Sequence, residues 1–162
     1  MRNNTLKYHI RLANSDDINA LCLIRNHEAL FLKYLQLQHD EEAYLAVAQV
    51  EDVLVGFGLL KLTGPLIPKL SDLFVKPAFR HQGIGQALIK FREQLAFELG
   101  YDEIFVSVDP FENPKMVRLV TTLYYVAISE PYEKSAIYYN EDGTTYEKTY
   151  LRVDFKKKLH SL

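Results

Sequence analysis

The sequence predicts one α/β domain, and three observations predict it. Apolar residues alternate with polar ones in several short runs, the pattern of strands with one buried face. One longer run repeats its apolar residues at helical spacing: Ile84, Leu88, Phe91, Leu95 and Leu99 recur at steps of four, three, four and four, which places them on one helix face. Between a strand and that helix stand two glycines one residue apart, Gly83 and Gly85. Strand, tight turn and helix therefore follow in fixed order over residues 69–90, and the rest of the chain is organised around them.

In chain order, residues 8–12 read as a first strand. Asn14 and Ser15 are N-cap residues, Asp16 and Asp17 suit the first turn of a helix, and Ile18, Leu21, Cys22 and Ile24 supply its apolar side. Residues 29–37 read as a second helix or helical loop. Residues 43–50 and 53–62 are two strands, with Glu51 and Asp52 as a two-residue turn between them. Gly64 and Pro65 break the chain before the strand of residues 70–75, and Pro77 ends that strand because proline cannot continue a ladder. Gly100 is placed to cap the long helix. Residues 102–109 alternate as a strand, residues 111–125 contain a helical segment, and residues 136–140 and 145–155 are closing strands around the turn signal Asp142-Gly143.

Length and composition bound the function. A chain of 162 residues, 48% hydrophobic, fits a single domain spanning residues 1–162 with its own core. A net charge of −2 offers no nucleic-acid footprint. No apolar run reaches the roughly 18 residues of a membrane span, and the N-terminal residues hold no apolar core of signal-peptide length. Cys22 is the only cysteine, so no internal disulfide forms and a cytoplasmic location is expected. On an amphipathic helix, Cys22 reads as a core residue rather than a nucleophile. The histidines show no His-x-His or His-x-x-x-His spacing, so no metal site is expected.

The glycine turn has a physical use. Two glycines let the backbone turn tightly and remove the Cβ atoms that would block a ligand. The free amides at the helix start point outward together, and the helix dipole adds partial positive charge. This suits a phosphate or pyrophosphate, and Arg80 adds a charge-assisted contact. The two glycines alone fit equally a plain tight turn beside a surface arginine. A dinucleotide fingerprint would want a third glycine where Leu88 stands, and a P-loop would want Gly-Lys-Ser/Thr, which is absent.

The whole stretch is more specific. Val75-Lys76-Pro77-Ala78-Phe79-Arg80-His81-Gln82-Gly83-Ile84-Gly85 resembles motif A of the GNAT superfamily of N-acetyltransferases, Arg/Gln-x-x-Gly-x-Gly/Ala after a strand ending in Val-x-Pro. The element order resembles that fold over nearly the whole chain. The resemblance implies a mixed, mostly antiparallel sheet with helices on both faces and a cofactor cleft between splayed strands. It implies acetyl-CoA as cosubstrate and an amine acceptor; charge, apolar run length and histidine spacing add no nucleic acid, membrane or metal partner. It assigns the pyrophosphate to Arg80, His81, Gln82, Gly83, Ile84, Gly85 and Gln86, and the pantetheine arm to Phe74 and Val75. Asn113 falls on a second family segment and is carried over as a cofactor contact.

Three positions depart from the family. Ser71 stands where many members carry a glutamate used as general base, and Val120 stands where the family usually has the tyrosine that protonates the departing thiolate. Tyr124 stands where the family usually has glycine. The stand-ins named by the sequence are Asp72 for the base and Tyr124 for the acid. Tyr124 follows Val120 by four residues, so a continuing helix would put it on the same face; the alternative is core packing. For Asp72 the alternative is a structural ion pair. His27 is a lesser candidate base.

The acceptor side of such a fold would draw on Phe31, Tyr34, Tyr132, Tyr138 and Tyr139 with Glu28, Asp40, Glu41 and Glu42. Aromatics with carboxylates suit a cationic amine, although strand tyrosines and a solvated acidic face are the commoner explanation of such residues. The resemblance also suggests a homodimer through the aromatic run around Tyr138 and Tyr139. Two readings result: an acetyl-CoA-dependent N-acetyltransferase acting on a primary amine of a small molecule or protein, or a catalytically weak or silent acyl-CoA-binding domain with a regulatory or interaction role.

Overall fold

The computed structural model describes residues 7–139 and 144–160. The turn signal Asp142-Gly143 and the side chain of Tyr139 lie outside the described residues. The chain falls into two compact units, Met1–Ile104 with Lys158–Leu162, and Phe105–Lys157.

In the first unit, β1 (His9–Leu12), β2 (Ala43–Val50), β3 (Val53–Lys61) and β4 (Lys69–Val75) form antiparallel neighbours in the order β1-β2-β3-β4. The turn between β2 and β3 is the expected Glu51-Asp52 pair, with Glu51 at φ 53°. Side-chain alternation along β2 feeds two cores. Leu45 and Val47 pack with Leu21, Phe31, Phe57 and Leu59 beneath α1 (Ile18–Ile24) and α2 (Glu28–His39). Ala46 and Ala48 pack with Val55, Val75, Ile84 and Leu88 beneath α3 (Ile84–Glu98). Helices thus cover both faces of these strands, and β2 and β3 are apolar almost throughout for that reason.

The start of α1 follows the capping chemistry expected of it. Asn14 Oδ1 accepts from the Asp16 amide at 2.9 Å, and Asp17 Oδ2 accepts from the Asn14 amide at 2.8 Å. Asp17 is buried and is also gripped by both Nη atoms of Arg11 at 2.8 Å each. That hydrogen bonding holds the Asp17 carboxyl below its ordinary range, against the opposing effect of burial. Cys22 packs against the α1–α2 core.

The buried face of α3 differs from the expected stripe. Ile84 and Leu88 are buried, but Phe91 and Leu95 are half-buried and Leu99 is exposed. The other buried positions are Ile89, Arg92, Glu93 and Ala96, so the face is rotated by roughly 70° from the apolar stripe at 100° per residue. The cause is Arg92, whose guanidinium is drawn to backbone carbonyls of the sheet. Gly100, at φ 98°, closes the helix as its sequence position predicts.

The second unit carries most of β5 (Glu103–Val108), α4 (Pro114–Thr122), β6 (Val126–Ala127), β7 (Tyr132–Tyr139) and nearly all of β8 (Thr145–Lys158). Its strand order is β5-β8-β6, and β7 pairs with β8 in an antiparallel ribbon from Tyr132↔Arg152 to Tyr139↔Thr145. Ile104, Val106 and Val108 are buried in alternation along β5, as expected of a strand with one packed face. Among the described residues no helix is long and apolar enough to cross a membrane.

Candidate functional site

The site begins with an irregularity in β4. Phe57 pairs with Phe74 and Leu59 pairs with Ser71, so two steps on β3 face three on β4. This is a β-bulge, which bends a strand and re-aims side chains. Asp72 sits in it at φ 45°, a left-handed conformation that is uncommon outside glycine. Arg92 fills the gap from the α3 side, with no exposed surface. Its Nη1 donates to the carbonyls of Leu59 at 2.8 Å and Ser71 at 3.1 Å, and its Nε donates to Leu88 O at 3.0 Å.

On the opposite face the bulge presents Asp72 to α1 and α2. Asp72 Oδ2 accepts from Arg25 Nη1 at 2.8 Å and from Tyr34 Oη at 2.6 Å. Burial, and then the neighbouring Asp72 carboxylate, push the Tyr34 hydroxyl far above its ordinary range. Tyr34 is therefore a fixed donor. The Arg25 guanidinium lies 5.0 Å from the Phe57 ring centroid and 5.8 Å from that of Phe74, and those two rings stack at 6.1 Å.

Beyond Phe74 the strand runs into the glycine turn. Pro77–Phe79 make one 3₁₀ turn, and Arg80 folds back so that its Nε donates to Val75 O at 2.8 Å. The Arg80 guanidinium lies 5.3 Å from the Phe74 ring. Phe74 thus has two guanidinium groups near its ring, those of Arg80 and Arg25. His81 is at φ 63° and Gly83 at φ 86°, and His81, Gln82 and Gly83 are all exposed. The first intrahelical bond of α3 runs from the Ala87 amide to Gly83 O at 2.9 Å. The amides of Ile84, Gly85 and Gln86 therefore stand ahead of the helical ladder. A Cβ on Gly85 would meet nothing nearer than Val75 Cγ2 at 4.0 Å, so the space in front of it is open. The turn has the form of an anion cradle at a helix N-terminus.

The model of the Acetyltransferase (GNAT) family matches residues 13–123, which take in the bulge, the turn and α3. The chain belongs to the GNAT acetyltransferase family. No curated protein sequence matches the chain at significance. Among solved structures, a putative acetyltransferase from Salmonella typhimurium with its cofactor acetyl-CoA superposes with a TM-score of 0.72 at 14% identity, covering 96% of both chains. The ribosomal-protein-S18-alanine N-acetyltransferase of Escherichia coli gives 0.71 at 14% identity, again over 96% of both. A phosphinothricin acetyltransferase from Sinorhizobium meliloti in complex with AcCoA gives 0.70 at 16% identity, over 94% of this chain and 88% of that one. The fold is that of the GNAT acetyltransferases.

The GNAT positions named from the sequence fall as follows. Phe74, Val75 and residues 80–86 are contiguous along β4, the turn and the first turn of α3. Asn113 caps α4 in the second unit, its Oδ1 accepting from the Met116 amide at 3.3 Å. Asp72 has the ion pair weighed for it. His27 caps α2, with Nδ1 accepting from the Leu30 amide at 3.2 Å.

Tyr124 is not on a continuing helix, as its spacing from Val120 had suggested. Helix α4 ends at Thr122, and Tyr124 follows at φ 74° with its amide bonded to Thr121 O at 3.0 Å. This is the left-handed position after a helix where glycine is the usual residue. Val120 is fully buried while Tyr124 is 82% exposed, so the two do not share a face and Tyr124 is not in the core. Phe31 is a core residue with no exposed surface. Tyr132 donates to Asp154 Oδ1 at 2.6 Å, as does Ser107 Oγ.

Sequence reasoning missed Arg25 and Arg92. The signal for Arg92 was present: it follows Ile84 and Leu88 at steps of four. Among the described residues no cluster of three or more His, Cys, Asp or Glu side chains is arranged to hold a metal ion.

Proposed function

We propose that this protein is an acetyl-CoA-dependent N-acetyltransferase acting on a primary amine of a small molecule or protein, in the cytoplasm. The observation that carries the reading is the glycine turn. Gly83 takes a left-handed φ of 86°, the amides of residues 84–86 precede the helical ladder, and the space before Gly85 is one that any Cβ would enter. This cradle fits a pyrophosphate. When bound, acetyl-CoA supplies an acyl group activated as a thioester. Gly83, Ile84, Gly85 and Gln86 would hold its pyrophosphate through backbone amides, with Arg80, His81 and Gln82 around them, and the backbone at Phe74 and Val75 would align the pantetheine arm. Asn113 is assigned to the same ligand.

The acceptor amine, with a reference pKa of about 10.4, must lose a proton before attack. In this reading Asp72 takes it, directly or through water. A positioned base contributes typically about 10²–10⁴-fold. Tyr124, exposed after α4, is proposed to return a proton to the thiolate. That thiolate, with a thiol pKa near about 8.5, leaves tolerably without help, so alignment of the two reactants supplies much of the rate.

A second reading, an acyl-CoA-binding domain without turnover, is favoured by the buried valine at position 120 and by the engagement of Asp72 with Arg25. Two measurements separate the readings. Acetyl-CoA and CoA raise the melting temperature under both, because a ligand bound only to the folded state stabilises it. Free thiol released across an amine screen is expected only for the transferase. An unchanged melting temperature at millimolar acetyl-CoA overturns both.

We also propose a homodimer through the β7–β8 ribbon. Tyr138 stacks on Tyr146 at 5.6 Å and Ile137 is 65% exposed. Light scattering that shows a monomer across micromolar concentrations rejects it.

A further inference from the structure

The Arg25–Asp72 ion pair has capacity that the fold does not use. Asp72 Oδ2 takes both hydrogen bonds, from Arg25 Nη1 and from Tyr34 Oη. Among the described residues Asp72 Oδ1 accepts none, and Arg25 Nε and Nη2 donate none. Neither group is sealed off: the Arg25 side chain is 35% exposed and that of Asp72 is 19% exposed. Both are nevertheless held in place. Arg25 lies against the rings of Phe57 and Phe74, and Asp72 is fixed by the bulge and by Tyr34. The result is a preorganised donor and acceptor of opposite charge, open side by side at the bulge end of β4.

The position matters as much as the chemistry. Along β4 from the glycine turn come Val75, Phe74 and then Asp72, and the guanidinium groups of Arg80 and Arg25 lie 5.3 Å and 5.8 Å from the Phe74 ring centroid. If the cradle holds a pyrophosphate and β4 aligns the arm that follows, the acceptor is met beyond Phe74. An amine that approaches Asp72 there also approaches a guanidinium bonded to the same carboxylate. A lone ammonium gains from one charge and loses to the other at nearly equal range, so the two contributions largely cancel. An amine with its own adjacent carboxylate gains from both, because its ammonium takes Asp72 Oδ1 and its carboxylate takes Arg25. Arginine is suited to this role, since its planar fork matches a carboxylate.

We infer that the Arg25–Asp72 pair selects the acceptor, and that the acceptor is a zwitterion carrying a carboxylate beside its amine, an α-amino acid or a close analogue. The inference deepens the acetyltransferase reading and rests on it. A simple polyamine or a lysine side chain within a protein lacks the adjacent carboxylate and is disfavoured by the same electrostatics.

Isothermal titration on the CoA-saturated full chain tests it without requiring turnover. The probes are the proteinogenic L-α-amino acids, each beside its α-amide and the corresponding decarboxylated amine. At least one amino acid is expected to bind, with its amide and its decarboxylated amine weaker by roughly 10- to 100-fold, the scale of a charge-assisted hydrogen bond. Arg25→Gln is expected to weaken the amino acid by the same factor and to erase the preference over the amide. The ligand series on the wild-type chain stands alone should Arg25→Gln fold poorly. Equal binding of amino acid and decarboxylated amine overturns the inference. So does the absence of binding by every amino acid while acetyl-CoA still raises the melting temperature, a result that leaves the acetyltransferase reading standing. Failure of acetyl-CoA itself to bind overturns that reading, and the inference falls with it.

Discussion

The guanidinium carbon of Arg92 lies 2.6 Å from where a Cβ on Gly58 would stand. Glycine at this point of β3 is therefore required by a side chain from α3, which enters the sheet where the bulge has removed ladder bonds. Arg92 satisfies the Leu59 and Ser71 carbonyls there, and the bulge it supports is the one that holds Asp72 left-handed.

Gly58→Ala is accordingly expected to destabilise the fold by about 1–3 kcal/mol, the scale of overpacking in a closed interior. Arg92→Leu strands the two carbonyls, at roughly 1–3 kcal/mol for each buried group left unsatisfied. The double variant Gly58→Ala/Arg92→Leu is expected to cost less than the sum, because the alanine methyl no longer meets a guanidinium. Urea unfolding of the four proteins measures this; strict additivity refutes the contact.

The two glycines of the turn are expected to behave differently. Gly83 is tied to its backbone conformation, so Gly83→Ala costs roughly 1 kcal/mol of stability in addition to any effect on ligand. A Cβ at Gly85 meets only Val75 Cγ2 at 4.0 Å, so Gly85→Ala is expected to leave the melting temperature of the free protein nearly unchanged, and Gly85→Leu, which fills the cradle, to abolish the rise caused by acetyl-CoA. A retained rise places the ligand elsewhere.

Tyr34 offers a spectroscopic check on the cluster. Burial and the Asp72 carboxylate raise its folded-state pKa above the unfolded value of about 10. Its contribution to stability is then fully present below about pH 10 and is lost as the pH climbs toward the folded value. In an alkaline ultraviolet difference titration Tyr34 is expected to be among the tyrosines that ionise late, and Tyr34→Phe reduces the amplitude of that late phase by one tyrosine of the eleven. Asp17 carries the opposite sign. Its carboxyl is held down by Arg11, so its contribution is present above about pH 4 and is lost as the pH falls further. Asp17→Asn is expected to be more destabilising at neutral pH than in acid by urea unfolding.

The sequence carried the element order because each element is written locally. The strand of residues 43–50 was read to the residue, and Asn14, Gly83 and Gly100 hold the cap and turn positions their types predict. What was not legible depends on partners distant in the chain. The bulge follows from a register shift between β3 and β4 that neither strand reveals alone. Arg92 continues the steps of four from Ile84 and Leu88, but arginine is rarely fully buried, and only the Leu59 and Ser71 carbonyls, brought up by the fold, account for its burial. Arg25 lies in a short link between helices with no periodicity to mark it, and its value comes from Asp72, 47 residues away. The end of α4 was misjudged because a tyrosine gives no warning of a left-handed residue.

That tyrosine is the place to test the chemical step. Tyr124 sits at φ 74°, which for a residue with a Cβ costs roughly 1–2 kcal/mol. Tyr124→Gly is therefore expected to stabilise the fold by about 1 kcal/mol, and Tyr124→Phe, which keeps the Cβ, is expected to leave stability unchanged because the hydroxyl is exposed. If the hydroxyl protonates the thiolate, both variants lower kcat alike while acetyl-CoA affinity stays the same, since only a contact made in the transition state is lost. The loss is bounded by the roughly 10²-fold scale at the lower end of general acid catalysis, and a thiolate that leaves readily argues for less. Strain relief alone would raise stability in Tyr124→Gly and leave kcat where it was. Full turnover in Tyr124→Phe removes Tyr124 from the mechanism and gives the proton to solvent, with alignment by β4 and the glycine turn then carrying the rate.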